Sequence, residues 1–193
     1  MKKKVGNIIV LSAPSGTGKT TIIRSILKIL PDVVYSISAT TREKRPNERD
    51  GADYFFIGEE TFQQKINDHE FVEWEKVYDY FYGTPKTFVE KVISEEKSIL
   101  LEVDVKGALS IKKVYPEAIM IYLLPPSLEE LEKRLRERKT ESEIDFQKRI
   151  ERAKMELSLK DKFDYFITNN NLNTAISELK ELIEKITKEE MTK

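Results

Sequence analysis

Short apolar runs alternate along this chain with longer segments of helical period, the pattern of a parallel sheet covered by helices. The candidate buried strands are Ile8–Leu11, Val33–Ile37, Ile99–Val105, Ile119–Leu124 and Tyr165–Thr168. A first helix is predicted from about Thr20 through Ile22, Ile23, Ile26, Leu27 and Leu30, ending at Pro31 because proline cannot continue it. Ser127 and Glu130 have the spacing of a capping box ahead of Leu128, Leu131 and Leu135. Thr140 and Glu143 repeat that signal, which predicts a break near Lys139 and a new helix carrying Phe146, Ile150 and Ala153. In the last helix, Leu172, Ala175, Ile176, Leu179, Leu182, Ile183 and Ile186 form one stripe that should pack on the sheet.

Residues 38–87 break the pattern. They are rich in aromatics and turn residues, with a strand at Asp53–Ile57 and a short helix after Glu59, and read as an inserted α+β lobe. The stretch from Ser127 to Lys162 is dense in both charge signs, as expected of solvated helices with intrahelical ion pairs.

Composition narrows the chemistry. The 193 residues amount to roughly one domain with room for an ordinary core. With 33 Lys plus Arg against 34 Asp plus Glu, the net charge of -1 argues against a nucleic-acid or membrane-surface binder. No Cys and one His exclude a disulfide scaffold, a Cys-ligated metal, thiol catalysis and a multi-histidine metal site, and fit a reducing compartment. The basic start Met1-Lys2-Lys3-Lys4 is followed by an apolar run too short for a signal peptide, and no run approaches a membrane span. The expectation is a soluble, cytoplasmic protein without nucleic-acid or membrane partners.

The most informative segment is Ala13-Pro14-Ser15-Gly16-Thr17-Gly18-Lys19-Thr20, placed directly after an apolar strand and directly before a helix. That context is what a phosphate loop requires: backbone N–H groups at a helix N-terminus supply fixed donors to polyphosphate. Gly16 and Gly18 give backbone freedom, Lys19 would bridge terminal phosphates, and the Thr20 hydroxyl would ligate Mg²⁺. Ala13 stands where the strict pattern has Gly. The bland alternative is a Gly-rich turn. The strand Ile99-Leu100-Leu101-Glu102-Val103-Asp104 ends in carboxylates that would lie near the metal. The loop by itself leaves kinases, GTPases and ATPase motors open.

Ser36 to Pro46 ends a strand with hydroxyls and two arginines three apart, Arg42 and Arg45, whose forks can grip one phosphate from two sides. Asp50-Gly51-Ala52-Asp53-Tyr54, Phe71-Val72-Glu73-Trp74 and the turn Tyr82-Gly83-Thr84 follow. On these motifs and the phosphate loop, the sequence resembles the guanylate kinase family over nearly its whole length, in the family's order.

The resemblance implies an α/β, P-loop nucleoside monophosphate kinase fold in a single domain over residues 1–193. A parallel β-sheet core flanked by helices would comprise residues 1–37, 88–126 and 153–193, with an inserted α+β GMP-binding lobe at 38–87 and a helical lid at 127–152. It implies an ATP:GMP phosphotransferase with ATP as co-substrate and Mg²⁺ as cofactor. Carried over by position, Ser38, Arg42, Arg45, Tyr54, Glu73, Tyr82, Gly83, Thr84, Asp104 and Arg149 would bind GMP. Of these, Arg42, Arg45, Tyr54 and Tyr82 would hold the phosphate, and Ser38, Glu73, Thr84 and Asp104 would read the guanine. Ala13 to Thr20 with Arg138, Asn169 and Asn170 would bind ATP, while Lys19, Arg42, Arg138 and Arg149 would be the catalytic cations.

Three departures from the family are visible: Glu102 where it usually has Asp, Lys139 in place of the lid's glycine, and Asn170 in place of Asp. Phe55 and Phe56 read as lobe core, Trp74 as packing, and His69 as a surface residue. Arg134 is explained equally well by an ion pair with Glu130 or Glu137. The phosphate acceptor has a second pKa of about 6, so no general base is needed. The rival readings are another nucleoside monophosphate kinase, which Ser38, Glu73 and Thr84 oppose, and a non-catalytic phosphopeptide-binding module of the same fold, which Lys19 and Thr20 oppose.

Overall fold

The structure is a computed structural model and describes residues 6–137 and 143–189. The chain divides into two compact units, Met1–Val10 with Asp32–Ala118, and Leu11–Pro31 with Ile119–Lys193. A five-stranded sheet has the order β2-β7-β1-β8-β9, from β1 (Ile8–Ser12), β2 (Val34–Ser36), β7 (Ile99–Glu102), β8 (Ile119–Leu124) and β9 (Tyr165–Thr168). The pairs β2/β7 and β8/β9 are parallel. Five strands were expected and five form. The third stops at Glu102 rather than Val105, because Asp104 begins a helix: its carboxylate accepts the Gly107 N–H at 2.8 Å.

In the first unit, β3 (Ala39–Thr40), β4 (Phe55–Phe56), β5 (Phe71–Val77) and β6 (Tyr80–Pro85) make a second sheet in the order β4-β3-β6-β5. Helix α2 (Glu59–Asn67) packs on it through Phe62, which is fully buried and stacks on Phe71 at 4.6 Å and Phe81 at 5.5 Å. The remaining helices of this unit are α3 (Lys86–Ser94) and α4 (Val105–Val114).

Several expectations for this lobe are corrected. Tyr82-Gly83-Thr84 is not a turn but the middle of β6, with Thr84 opposite Glu73 and Gly83 opposite Trp74. Gly83 is required by packing: a Cβ there would lie 2.9 Å from Phe71 Cδ1 and 3.0 Å from Phe62 Cζ. The chain reverses instead at Tyr78–Asp79, with Tyr78 at φ 55°. The strand expected at Asp53–Ile57 shortens to Phe55–Phe56 on the sheet edge, and Phe55 is 42% exposed rather than core. Trp74 leans on Phe81 at 6.0 Å but stays half open to solvent. His69 lies on the surface as expected.

In the second unit, α1 (Lys19–Ile29) buries Ile22, Ile23 and Ile26, and Leu30 closes it ahead of Pro31. The stripe of α7 (Leu172–Glu189) buries Ala175, Leu179, Ile183 and Ile186 and packs against α1 and β9. Leu131 and Leu135 of α5 (Leu128–Glu137) cluster with Phe146, Ile150 and Ala153 of α6 (Glu143–Ser158). Ser127 Oγ accepts the Glu130 N–H at 3.2 Å, the first half of the predicted capping box, and Arg134 pairs with Glu130 at 3.0 Å. The predicted break at Lys139 and the cap at Thr140 lie outside the described residues. A 3₁₀ turn at Lys160–Lys162 leads into β9. Among the described residues, no helix is long and apolar enough to cross a membrane.

Candidate active site

The phosphate loop belongs to the second unit and hangs between β1 and α1. Gly16 and Gly18 have φ of 95° and 94°, a region closed to most side chains, so both glycines are conformational requirements. Gly16 is needed twice, since a Cβ would also lie 3.0 Å from Leu131 Cδ1 and Leu135 Cδ2. Ala13 is not among the described residues with positive φ, which explains why alanine serves where the strict pattern has glycine. Gly18 is the N-cap of α1, makes no side-chain cap, and is followed by a first turn without acidic residues. The positive end of the helix is thus neither capped nor neutralised by its own sequence.

Ala13, Pro14 and Thr17 are buried, Gly16, Gly18 and Lys19 are half-buried, and Ser15 and Thr20 are exposed. Asn169, at the end of β9, is buried, and its Nδ2 donates to the Thr17 carbonyl at 2.7 Å. Asn170 next to it is exposed. Arg149 lies half-buried on α6 beside Ile150 of the apolar cluster, and Arg138 lies outside the described residues.

Magnesium suits the donors present. Among the described residues no three acidic or histidine side chains gather into a cage. The exposed Thr20 hydroxyl in the first turn of α1 fits the way Mg²⁺ binds with nucleotides, through phosphates, water and one or two protein oxygens.

The first unit holds two clusters of the expected residues. In one, Arg42 donates from Nη2 to Glu48 Oε1 at 2.8 Å and from Nη1 to the Glu43 carbonyl at 2.7 Å. Its guanidinium sits 5.6 Å from the ring centres of both Tyr54 and Phe56, and Tyr54 meets Tyr82 edge-on at 5.9 Å. Burial works against the charge on Arg42, but hydrogen bonds to Glu48 and Tyr82 outweigh it and hold the guanidinium above its ordinary pKa. Burial likewise opposes the charge on Glu48, yet Arg42 and the Arg45 N–H, which donates to Oε2 at 2.9 Å, keep its carboxyl below the usual range. The Arg45 side chain itself is largely open to solvent. Ser38 is half-buried where the chain enters β3, and its carbonyl accepts the Phe55 N–H at 2.9 Å.

In the other cluster, Glu73 is 8% exposed and accepts the Thr84 hydroxyl at 2.6 Å. Burial pushes its carboxyl up to about 7; the Thr84 bond works the other way and the nearby Asp104 adds to the rise. A Cβ on Gly107 would meet Glu73 Oε2 at 2.6 Å and Asp104 Oδ1 at 3.2 Å, so that glycine makes room for both carboxylates. Tyr35 donates to Glu102 at 2.9 Å, and burial followed by that carboxylate pushes the Tyr35 hydroxyl far up.

Two members of these clusters have little or no signal in the sequence. Glu48 holds both Arg42 and the Arg45 backbone, and its signal was an acid three residues after one arginine and six after the other. Tyr35 carried no signal, since a tyrosine in a strand reads as an ordinary strand former.

A buried strand that runs into an uncapped, glycine-shaped loop at the head of a helix, on a parallel sheet, defines a phosphate-loop nucleotide-binding protein. The comparisons narrow the class. The guanylate kinase family model matches residues 5–186. The chain is 47% identical over 188 residues to a guanylate kinase of Thermotoga maritima, covering 97% of this chain and 89% of the relative. It is 45% identical to one of Caldanaerobacter subterraneus subsp. tengcongensis, covering 94% and 88%. The crystal structure of guanylate kinase from Anaplasma phagocytophilum superposes with a TM-score of 0.81 at 29% identity, covering 97% of this chain and 89% of that one. The chain belongs to the guanylate kinase family.

Proposed function

We propose that the protein is an ATP:GMP phosphotransferase that moves the γ-phosphoryl group of ATP to GMP, giving ADP and GDP. The observation that carries the choice of acceptor is the buried Glu73 carboxylate fixed by the Thr84 hydroxyl. Guanine presents N1–H and an exocyclic amine as adjacent donors, which one carboxylate accepts together. Adenine presents a lone pair at N1 and would leave the carboxylate unpaired and repelled. Sites that rely on buried polar pairing of this kind discriminate by ~10⁴ or more. Ser38 and Asp104 complete the guanine contacts. Arg42, Arg45, Tyr54 and Tyr82 hold the GMP phosphate, with Gly83 keeping β6 close to the aromatic cluster.

The triphosphate lies along the loop from Ala13 to Thr20, against its backbone N–H groups, with Lys19 on the terminal phosphates. Asn169 and Asn170 border it at the end of β9. Thr20 would hold Mg²⁺, mostly through phosphates and water, and the ion would supply positive charge against that of the transferring group. Arg138 and Arg149 contribute the same kind of stabilisation from the lid, Arg149 toward both substrates. No residue acts as general base, because the acceptor phosphate is already substantially dianionic near neutral pH. Catalysis is alignment and electrostatics, and exclusion of water protects the transfer from hydrolysis. We place the enzyme in the cytoplasm, which the cysteine-free sequence fits.

The test is Glu73→Gln. The amide keeps the shape and one acceptor but adds a donor facing the guanine donors. The expected outcome is a KM for GMP raised about 100-fold or more with the KM for ATP within about twofold, since a lost charged hydrogen bond and a new clash exceed ~2.7 kcal/mol together. An unchanged preference for GMP over AMP removes Glu73 from the guanine site.

A further inference from the structure

By the family's pattern Asn169 belongs to the adenine. We infer that its side chain instead sets the conformation of the phosphate loop. Asn169 is 6% exposed, and its carboxamide nitrogen donates to the Thr17 carbonyl at 2.7 Å across 152 residues of sequence. Its own N–H is fixed too, donating to the Leu124 carbonyl at 2.9 Å, so the donor is anchored on the β8–β9 ladder.

The peptide between Thr17 and Gly18 is a rigid trans plane in which C=O and N–H point in opposite directions. Fixing the Thr17 carbonyl therefore fixes the direction of the Gly18 N–H, the donor at the mouth of α1. The residues on either side need this outside support. Gly16 and Gly18 both have positive φ, and as glycines they have many other conformations available. Thr17 N–H bonds weakly back to the Pro14 carbonyl at 3.3 Å. Asn169 also limits the loop sterically, because a methyl group on Gly18 would lie 2.8 Å from its Nδ2. A carboxamide so enclosed is oriented toward the loop backbone rather than toward a base.

Asn169 is thus a positioning residue for the loop, a role that rests on the phosphate-loop reading above. The test uses a probe without a base: inorganic tripolyphosphate in Mg²⁺ buffer, titrated calorimetrically against the wild type, Asn169→Leu and Asn169→Ala. Leu keeps the volume and removes the donor; Ala removes both. The expected result is that tripolyphosphate and ATP weaken together, by about tenfold, while the KM for GMP is unchanged. Weaker ATP with unchanged tripolyphosphate overturns the inference and returns Asn169 to the base, and so does unchanged binding of both. A wild-type protein that fails to bind tripolyphosphate and ATP overturns instead the phosphate-loop reading.

A measurement on the unaltered protein covers the case in which neither variant folds. The side-chain amide signals of Asn169, followed by ¹⁵N–¹H spectroscopy, shift with tripolyphosphate and stay in place with adenosine. The reverse pattern contradicts the inference.

Discussion

In the proposed guanine site, Glu73 would join selectivity to pH. Its carboxyl, pushed up to about 7 by burial, is largely protonated in the free protein at pH 6 and ionised at pH 8. Only the ionised form accepts both guanine donors, so GMP binding should tighten as pH rises from 6 to 8. The acceptor's own phosphate titrates near pH 6 and contributes to the lower part of this range. The part due to Glu73 is the difference between the wild type and Glu73→Gln. The same shift acts on folding in the opposite sense. A carboxyl whose folded pKa is raised contributes stability that is fully present below its unfolded pKa and is lost as pH rises through the folded value. For a shift from 4.5 to about 7 the amount is about 3 kcal/mol. Calorimetric melting should therefore find Glu73→Gln more stable than the wild type at pH 8 and not at pH 5. Parallel profiles for the two proteins would place the carboxylate in contact with water or a cation.

At the level of elements, β6 shows what the sequence revealed and what it concealed. Tyr82-Gly83-Thr84 carries a glycine among polar residues and so reads as a turn, yet this glycine serves close packing beneath Phe71 and Phe62. Local sequence cannot distinguish a glycine that bends the chain from one that lets a side chain approach, because the difference lies in residues twelve and twenty-one positions away. The phosphate loop was legible for the opposite reason: its requirements, positive φ and an uncapped helix, are local. The five strands of the main sheet were legible as apolar runs, and α7 as a stripe. Glu48 and Tyr35 were not, because their partners are recognised only once the chain has folded. From sequence Asp104 looks like a strand end, whereas its helix-capping bond to Gly107 ends β7 early.

Gly83→Ala tests the packing role. A Cβ 2.9 Å from an aromatic carbon of Phe71 and 3.0 Å from Phe62 must displace rings stacked 4.6 Å apart. Overpacking of this kind costs about 1–3 kcal/mol, read by urea unfolding. Because Thr84 follows in the same strand and holds Glu73, the KM for GMP should rise as well. A turn role, with φ free of strain and the side chain in solvent, predicts no loss of stability.

Across the whole molecule the charges nearly cancel, with a net charge of -1, while function depends on where a few of them lie. In the proposed function, Lys19 and the uncapped start of α1 would serve one anion, and Arg42 and Arg45, held by Glu48, would serve another. Glu73 and Asp104 would provide negative charge where the base offers donors. The chain has no cysteine and one surface histidine, and this chemistry calls on neither.

The central claim is transfer from ATP to GMP, and the most direct measurement is coupled ADP release with GMP, dGMP, AMP, CMP and UMP as acceptors, Lys19→Ala serving as the control. The account predicts turnover with GMP exceeding that with AMP by ~10⁴ in kcat/KM. It predicts a loss of about 10³-fold or more in the folded Lys19→Ala protein, corresponding to several kcal/mol of transition-state stabilisation. No ADP release with GMP, or equal rates with GMP and AMP, would contradict it.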